Sequence, residues 1–103
     1  MFDLKGHRLG KYEIDQAIGR GGMAIVYKGH DPALNRPVAI KVMDPALQAE
    51  PGAVERFRRE AILAANLEHP HIMPVYDVRE DDGLWYLAMR YVPGETLRDV
   101  LSR

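Results

Sequence analysis

The amino-acid sequence predicts an α+β fold, in which one long helix packs on a five-stranded antiparallel sheet. Short apolar segments rich in β-branched and aromatic residues alternate with turns rich in glycine and aspartate, which is typical of strands joined as hairpins. A single long segment repeats its apolar residues with the helical period, and it lies between the third and fourth strands. The predicted element order is therefore βββαββ, and 103 residues suit one small domain.

The first three strands are bounded by residues that favour turns. Three glycines, Gly19, Gly21 and Gly22, separate the first strand from the second, and Asp44-Pro45 follows the third. The predicted strand ranges are residues 12–20, 24–30 and 36–43. Residues 1–11 carry mixed charges and two glycines, so we expect them to form a loosely held lead-in segment.

The second half of the chain contains the helix and two more strands. Pro51 stands near the helix start, and the turn Asp81-Asp82-Gly83 joins the last two strands. Pro93-Gly94 ends the fifth strand, and Thr96 is a suitable cap for a further helix. The predicted ranges are 52–67 for the helix, 72–79 and 84–91 for the strands, and 96–102 for the further helix.

Composition excludes several classes of protein. A net charge of −1 argues against binding to nucleic acid or to an anionic membrane. The chain has no cysteine, which excludes disulfides and thiolate metal sites and fits a reducing compartment. No apolar run approaches the roughly 20 residues that cross a bilayer, and the polar N-terminus does not resemble a signal peptide. We therefore expect a cytoplasmic location.

The glycine cluster has more than one interpretation. A dinucleotide-binding turn requires a helix directly after the glycines, but Ile25, Val26 and Tyr27 favour a strand. A P-loop requires Gly-Lys followed by Ser or Thr, and this sequence lacks that triplet. A glycine turn between antiparallel strands fits the context. On the loop alone, a loop that covers phosphates and a structural hairpin without ligand remain equal alternatives.

Lys41 is a charge placed in the middle of an apolar strand. Strand side chains alternate between two faces: Val38, Ile40 and Val42 share one, and Ala39, Lys41 and Met43 share the other. The small side chain of Ala39 leaves open space beside the lysine. Lys41 either extends its ammonium to water or binds an anion on this face.

Glu60 is the corresponding charge on the helix. An apolar face is predicted from residues at i, i+3, i+4 and i+7, which are Phe57, Glu60, Ala61 and Ala64. A carboxylate on a packed face is costly unless it has a partner. Arg56, one turn earlier, is a local candidate, but Lys41 on the sheet is the partner that we favour.

These features together resemble the N-terminal lobe of a protein kinase. The resemblance is carried by Gly19-x-Gly21-x-x-Ala24-x-Val26, by Val38-Ala39-Ile40-Lys41 and by the helix glutamate. The segments "GRGGMAIVYKGHD", "RPVAIKVM", "FRREAILAANLEHPHIMPVYDV" and "MRYVPGETLRDVL" are similar to bacterial serine/threonine kinases in particular. The resemblance implies an ATP-binding lobe over residues 12–92. Residues 93–103 would be the hinge exit and the start of the first C-lobe helix.

The resemblance also implies a role for each matching residue. Lys41 would hold the α- and β-phosphates of ATP, and Glu60 would hold Lys41. Backbone amides of the glycine loop would cover the phosphates; these residues are Gly19, Arg20, Gly21, Gly22, Met23 and Ala24. The adenine would contact Ile18, Val26 and Ala39, with Met89 as gatekeeper and the backbone of Arg90 and Val92 as hinge. Ala64 and Val75 would belong to the hydrophobic spine.

Two positions depart from the family pattern. Ala24 replaces the third loop glycine, which stiffens the turn but keeps the backbone amide. Arg90 replaces a glutamate that is common at the hinge. An ion pair made by that glutamate would be lost, but the backbone contact to adenine would remain.

Several motifs of the family do not occur within these 103 residues. They are His-Arg-Asp, Asp-Phe-Gly and Ala-Pro-Glu, which include the catalytic base and a magnesium ligand. We therefore expect ATP as the ligand, Mg²⁺ only together with a C-lobe, and no phosphotransfer by this chain alone. Protein substrates would bind through the C-lobe, and many relatives carry a membrane anchor beyond the kinase domain. The alternative is a free-standing, non-catalytic lobe that binds nucleotide or regulates a partner.

Two further expectations concern metals and association. His69 and His71 flank a proline without an evident third ligand, so we expect no metal site there. Met89, Tyr91 and Val75 would be poorly covered without a C-lobe, and exposed apolar patches promote association. We therefore expect the isolated lobe to be marginally stable or to self-associate.

Overall fold

The computed structural model describes residues 4–20, 24–66 and 75–91. Its strands are β1 (Arg8–Leu9), β2 (Tyr12–Arg20), β3 (Ala24–Asp31), β4 (Arg36–Met43), β5 (Val75–Asp81) and β6 (Leu84–Arg90), and its helix is α1 (Ala53–Asn66). The strands form one sheet in the order β1-β2-β3-β4-β6-β5, and every neighbouring pair is antiparallel. The predicted α+β class and the antiparallel sheet with one helix are confirmed.

Strand β1 raises the strand count from the expected five to six. Arg8 and Leu9 pair with Glu13 and Tyr12, so the chain folds back on itself through a tight turn. Gly10 allows that turn because its φ is +54°. Leu4 and Leu9 are both buried in the core. The expectation of a loosely held lead-in is therefore wrong for residues 4–11, because two leucines there bury apolar surface.

The sheet separates two apolar clusters, one on each face. We call one the helix face; it holds Val26, Ala39, Met43, Leu87 and Met89, packed with Ala53 and Phe57 of α1. We call the other the inner face; its members include Val38, Ile40, Val42, Tyr12, Tyr27 and Tyr86, together with Leu4 and Leu9. The predicted alternation along β4 is confirmed, since its residues divide between the two clusters as expected.

The β5–β6 hairpin has the turn that its sequence predicts. Asp82 and Gly83 have φ values of +52° and +79°, which is the pattern of a two-residue type I′ turn. Strand β5 extends to Asp81, two residues beyond its predicted end. Residues 67–74, where the strand was expected to begin, lie outside the described part of the chain.

The sheet curls so strongly that strands far apart in its order touch. The hydroxyl of Tyr12 on β2 donates to Asp77 Oδ2 on β5 at 2.7 Å. The backbone N–H of Gly10 donates to Asp81 Oδ2 at 2.6 Å. Tyr12 also packs edge-on against Tyr86, with ring centroids 6.2 Å apart. The inner face is thus the concave side of the sheet. The one helix described here is too short and polar to cross a membrane.

Candidate functional site

Lys41 lies on the helix face of β4, within a row of residues that crosses four strands. Its direct partners are Val26 on β3 and Leu87 on β6. Val26 in turn pairs with Gly19, near the end of β2. Gly19, the first glycine of the cluster, therefore lies two strands away from Lys41, and Val26 lies between them. The sequence prediction that Lys41 shares a face with Ala39 and Met43 agrees with this register.

The charge on Lys41 responds to two opposing influences. Partial burial lowers the pKa of Lys41, because the ammonium loses hydration among apolar neighbours. The carboxylate of Glu60 opposes this effect and raises the pKa of Lys41. The helix and the sheet therefore bring these two charges within electrostatic reach of each other. An anion beside Lys41 would favour its charged form in the same way.

Glu60 itself is exposed, which differs from the packed position that the helical period suggested. Phe57, one turn earlier, is 5% exposed and anchors α1 on the sheet. Three residues correspond to about 300° of rotation around a helix, so Glu60 lies at the margin of the surface that Phe57 buries. Because the Glu60 carboxylate is hydrated, it carries no burial penalty that would require a partner. The side chains of Ala61 and Ala64 lie outside the described part of the structure.

The residues assigned to the adenine contact belong to one cluster. Ala39 pairs directly with Met89, and Ile18 packs against the cluster that contains Val26. Val26, Ala39 and Met89 are each no more than 1% exposed. The expectation that Met89 would be poorly covered is therefore wrong, and the apolar patch inferred from it is smaller than expected. Tyr91, which was also expected to be poorly covered, is half-buried.

Lys28 is a residue near this cluster that the sequence analysis did not single out. It pairs with Ala39 across β3 and β4, so both side chains lie on the helix face. Its ammonium lies 5.2 Å from the ring centroid of Tyr91, a distance that suits a cation–π contact. Because Lys28 lies two residues after Val26 on the same strand, the sequence predicts that both side chains share one face of the sheet. The contact with Tyr91 depends on the register between strands, which the sequence does not show.

The remaining sequence-predicted residues divide into two groups. Arg20 and Arg90 are exposed at strand ends, whereas Ala24 is buried and pairs with Met43. Several others lie outside the described residues: Gly21, Gly22, Met23, Val92, His69 and His71, the side chain of Val75, and the helix expected at 96–102. Within the described ranges, no three His, Cys, Asp or Glu side chains are grouped in a way that would hold a metal ion.

Known proteins share this arrangement of strands and helix. A probable serine/threonine-protein kinase of Streptomyces coelicolor is 48% identical over 96 residues, which cover 89% of this chain and 14% of that protein. The serine/threonine-protein kinase PrkC of Bacillus subtilis is 43% identical over 100 residues, covering 96% and 15%. The chain therefore spans about one seventh of the length of these relatives.

Solved structures show the same likeness. The crystal structure of the Mycobacterium tuberculosis PknI kinase domain aligns with a TM-score of 0.69 and 38% identity, over 84% of this chain and 35% of that one. The apo form of PpkA-294 aligns with a TM-score of 0.74 and 30% identity, over 95% and 41%. The family model described as "Protein kinase domain" matches residues 12–103. The chain belongs to the protein kinase domain family.

Proposed function

We propose that this chain is the ATP-binding N-terminal lobe of a serine/threonine protein kinase, which transfers the γ-phosphate of ATP to serine or threonine of a protein. The observation that carries the proposal is the position of Lys41. It is a partly buried cation on the helix face, in register with Val26 and within electrostatic reach of Glu60. A lysine in that setting suits an anion on the face beside it.

The role proposed for Lys41 is to bind the α- and β-phosphate oxygens. Its ammonium is partly desolvated, so it interacts with an anion more strongly than it would in water. Glu60 would keep the ammonium charged and oriented toward the phosphates. The backbone N–H groups from Gly19 to Ala24 would donate to the terminal phosphates, as glycine-rich loops do elsewhere.

The role proposed for the apolar cluster is to contact the adenine. Ile18, Val26 and Ala39 would pack on the base, Met89 would close its inner end, and the backbone of Arg90 and Val92 would bind its polar edge. Val26, Ala39 and Met89 are nearly inaccessible to water. A base can therefore contact them only after the side chains around them move. This rearrangement would weaken ATP binding by the isolated chain.

The remaining parts of the proposal depend on a C-terminal lobe. That lobe would supply the magnesium ligands, the catalytic base and most of the protein-substrate contacts, and no step here uses a metal held by this chain. We propose a cytoplasmic location for this lobe, where ATP is available. We also propose limited self-association of the isolated chain.

The proposal is tested by nucleotide titration of residues 1–103, followed by ¹⁵N NMR at increasing MgATP. We expect weak binding, with shifts in residues 18–20, 39–41 and 89–91, because half a cleft buries only part of the ligand. Lys41→Met should weaken the phosphate-dependent part of binding, while the contribution of the loop amides remains. Lys5→Met removes an exposed lysine before β1 and serves as the matched control.

Three outcomes would change the assignment. Binding that is equal in the wild type and in Lys41→Met would overturn the role of this lysine. Phosphotransfer to a generic protein substrate by residues 1–103, lost in Lys41→Met, would show that the chain needs no C-lobe. Tight MgATP binding without turnover would favour the alternative, a free-standing nucleotide-binding module.

A further inference from the structure

One glutamine side chain joins the β4–α1 connection to the tip of the β5–β6 hairpin. Gln48 lies just after a short 3₁₀ turn, Pro45–Leu47, whose first residues are capped by Asp44. Its Nε2 donates to the carbonyl oxygen of Gly83 at 2.7 Å. Its Oε1 accepts from the backbone N–H of Trp85 at 3.4 Å. A single side chain thus bonds to the backbone on both sides of Leu84.

A second contact reaches the same hairpin from the helix itself. The guanidinium of Arg58 lies 5.4 Å from the ring centroid of Trp85. Arg58 also pairs with Glu55, one turn earlier, at 3.6 Å, which orients its side chain along the helix. Trp85 in turn packs against the helix-face cluster. We call these four residues, Gln48, Arg58, Gly83 and Trp85, the hairpin clamp.

The type I′ turn explains why the hairpin presents a carbonyl to Gln48. Asp82 and Gly83 both have left-handed backbone angles, with Gly83 at φ +79°. A carbonyl in such a turn is left outside the strand ladder and can accept from another donor. Gln48 supplies that donor, although it lies 35 residues earlier in the chain. The turn residues therefore present the carbonyl of Gly83, and Gln48 binds it.

The described side chains attach α1 to the helix-face cluster near its start, and the helix also lies against β5 of the same hairpin. Ala53 and Phe57 are its buried residues, and Val54 is partly buried against the same cluster. These three lie in its first two turns, where Arg58 of the clamp also lies. Glu60 lies one turn further along and is exposed. A small rotation of α1 about its packed end would displace Glu60 more than it displaces Phe57.

We propose that the hairpin clamp positions α1, and through it holds Glu60 near Lys41. Gln48 and Trp85 are positioning residues, since neither is among the residues assigned to the nucleotide. The inference rests on the proposed function, in which Glu60 holds Lys41. Its test requires no nucleotide, so failure of ATP binding and failure of the clamp are distinguishable.

The test measures the pKa of Lys41 by ¹³C NMR of lysine-labelled chain. The chain has four lysines, and Lys41→Arg identifies the signal. Glu60 raises the pKa of Lys41, so Glu60→Gln should lower it. We expect Gln48→Ala to lower it in the same direction by a smaller amount. The double variant should show no larger drop than Glu60→Gln alone, because both changes act through one carboxylate.

Controls separate displacement of the helix from loss of the fold. Gln16→Ala makes the same change at an exposed position on β2 and should leave the pKa of Lys41 unchanged. Unfolding would restore hydration and raise the pKa of Lys41, which is opposite to the expected direction. Gln48→Met removes both bonds to the hairpin without adding a charge, and Trp85→Leu removes the ring beside Arg58. Each should lower the pKa of Lys41 in a chain that stays folded.

Two results would overturn the inference. In the first, Gln48→Ala, Gln48→Met and Trp85→Leu stay folded and leave the pKa of Lys41 at its wild-type value. In the second, the drops in Gln48→Ala and Glu60→Gln add fully in the double variant. Additivity would mean that Gln48 affects Lys41 without moving Glu60.

Discussion

Removal of the Tyr12 hydroxyl should destabilise the lobe although the ring itself stays in place. Tyr12 is fully buried, and its hydroxyl donates to the carboxylate of Asp77 at 2.7 Å. A hydrogen bond to a charged group contributes about 1.5–3 kcal/mol. Asp77 keeps a second partner, Arg79, at 3.0 Å, so the carboxylate is not left without a bond. We therefore expect Tyr12→Phe to lower the free energy of unfolding by about 1–2 kcal/mol.

The free energy of unfolding that Tyr12→Phe removes should depend on pH in a defined direction. Burial by itself would raise the pKa of Asp77, but the hydrogen bonds from Tyr12 and Arg79 and the nearby cations outweigh it and lower the pKa. A carboxyl with a lowered pKa in the folded state stabilises above its unfolded pKa, and that stability is lost as the pH falls through the folded value. The difference between wild type and Tyr12→Phe should therefore be largest near pH 7. It should shrink below about pH 4 as Asp77 becomes protonated.

Urea unfolding followed by tryptophan fluorescence measures this effect, because Trp85 is the single tryptophan of the chain. In thermal unfolding at pH 7, the same change should appear as a fall in Tm of roughly 5–10 °C. Tyr76→Phe removes a hydroxyl from a neighbouring half-buried ring that stacks on Arg36, and it is the matched control. A Tyr12→Phe loss that is equal at pH 7 and pH 3, or that persists fully in an Asp77→Asn background, would refute the reasoning.

Three other substitutions test the fold in different ways. Leu9→Ala should lower the free energy of unfolding by about 2–4 kcal/mol, because Leu9 is 2% exposed. A change below about 0.5 kcal/mol in urea unfolding would mean that β1 is not part of the core. Gly29→Ala should be more damaging than Gly83→Ala, since a Cβ at Gly29 would lie 2.6 Å from the backbone oxygen of Glu13, whereas none lies within 4 Å at Gly83. Gly83→Ala should cost about 1 kcal/mol through its left-handed angle, and the reverse order in thermal unfolding would contradict this ranking.

Local patterns predicted most of the architecture. The period of two along β4 gave the faces of Val38 and Lys41, because in a strand the sequence separation alone decides the face. The pair Asp82-Gly83 predicted the hairpin turn, because few residues adopt left-handed angles at low cost. The helix bounds, Ala53–Asn66, lie within one residue of those predicted.

Other features depended on distances that the sequence does not contain. Strand β1 has two residues, which is too short to show a period. The helical period gave the direction of Glu60 but not the width of the buried surface, so its exposure was not predicted. The bonds of Gln48 join segments 35 and 37 residues apart and exist only once the hairpin has docked. Lys41 and Glu60 could be found in the sequence because each interrupts an apolar pattern. Gln48 interrupts no such pattern, so its contacts could not be found in this way.

The curl of the sheet also affects how its edges meet other chains. An open sheet ends in two strands whose free N–H and C=O groups can pair with another chain and seed aggregation. Here the chain around Gly10 and strand β5 face each other across a pocket of about 390 Å³, which Lys11 and Arg79 help to line. The seam is bridged by the bonds to Asp77 and Asp81, and it carries charges that disfavour strand addition. The two ends of the sheet are therefore bridged by side chains of this same chain, and charged residues lie where another strand would have to pair.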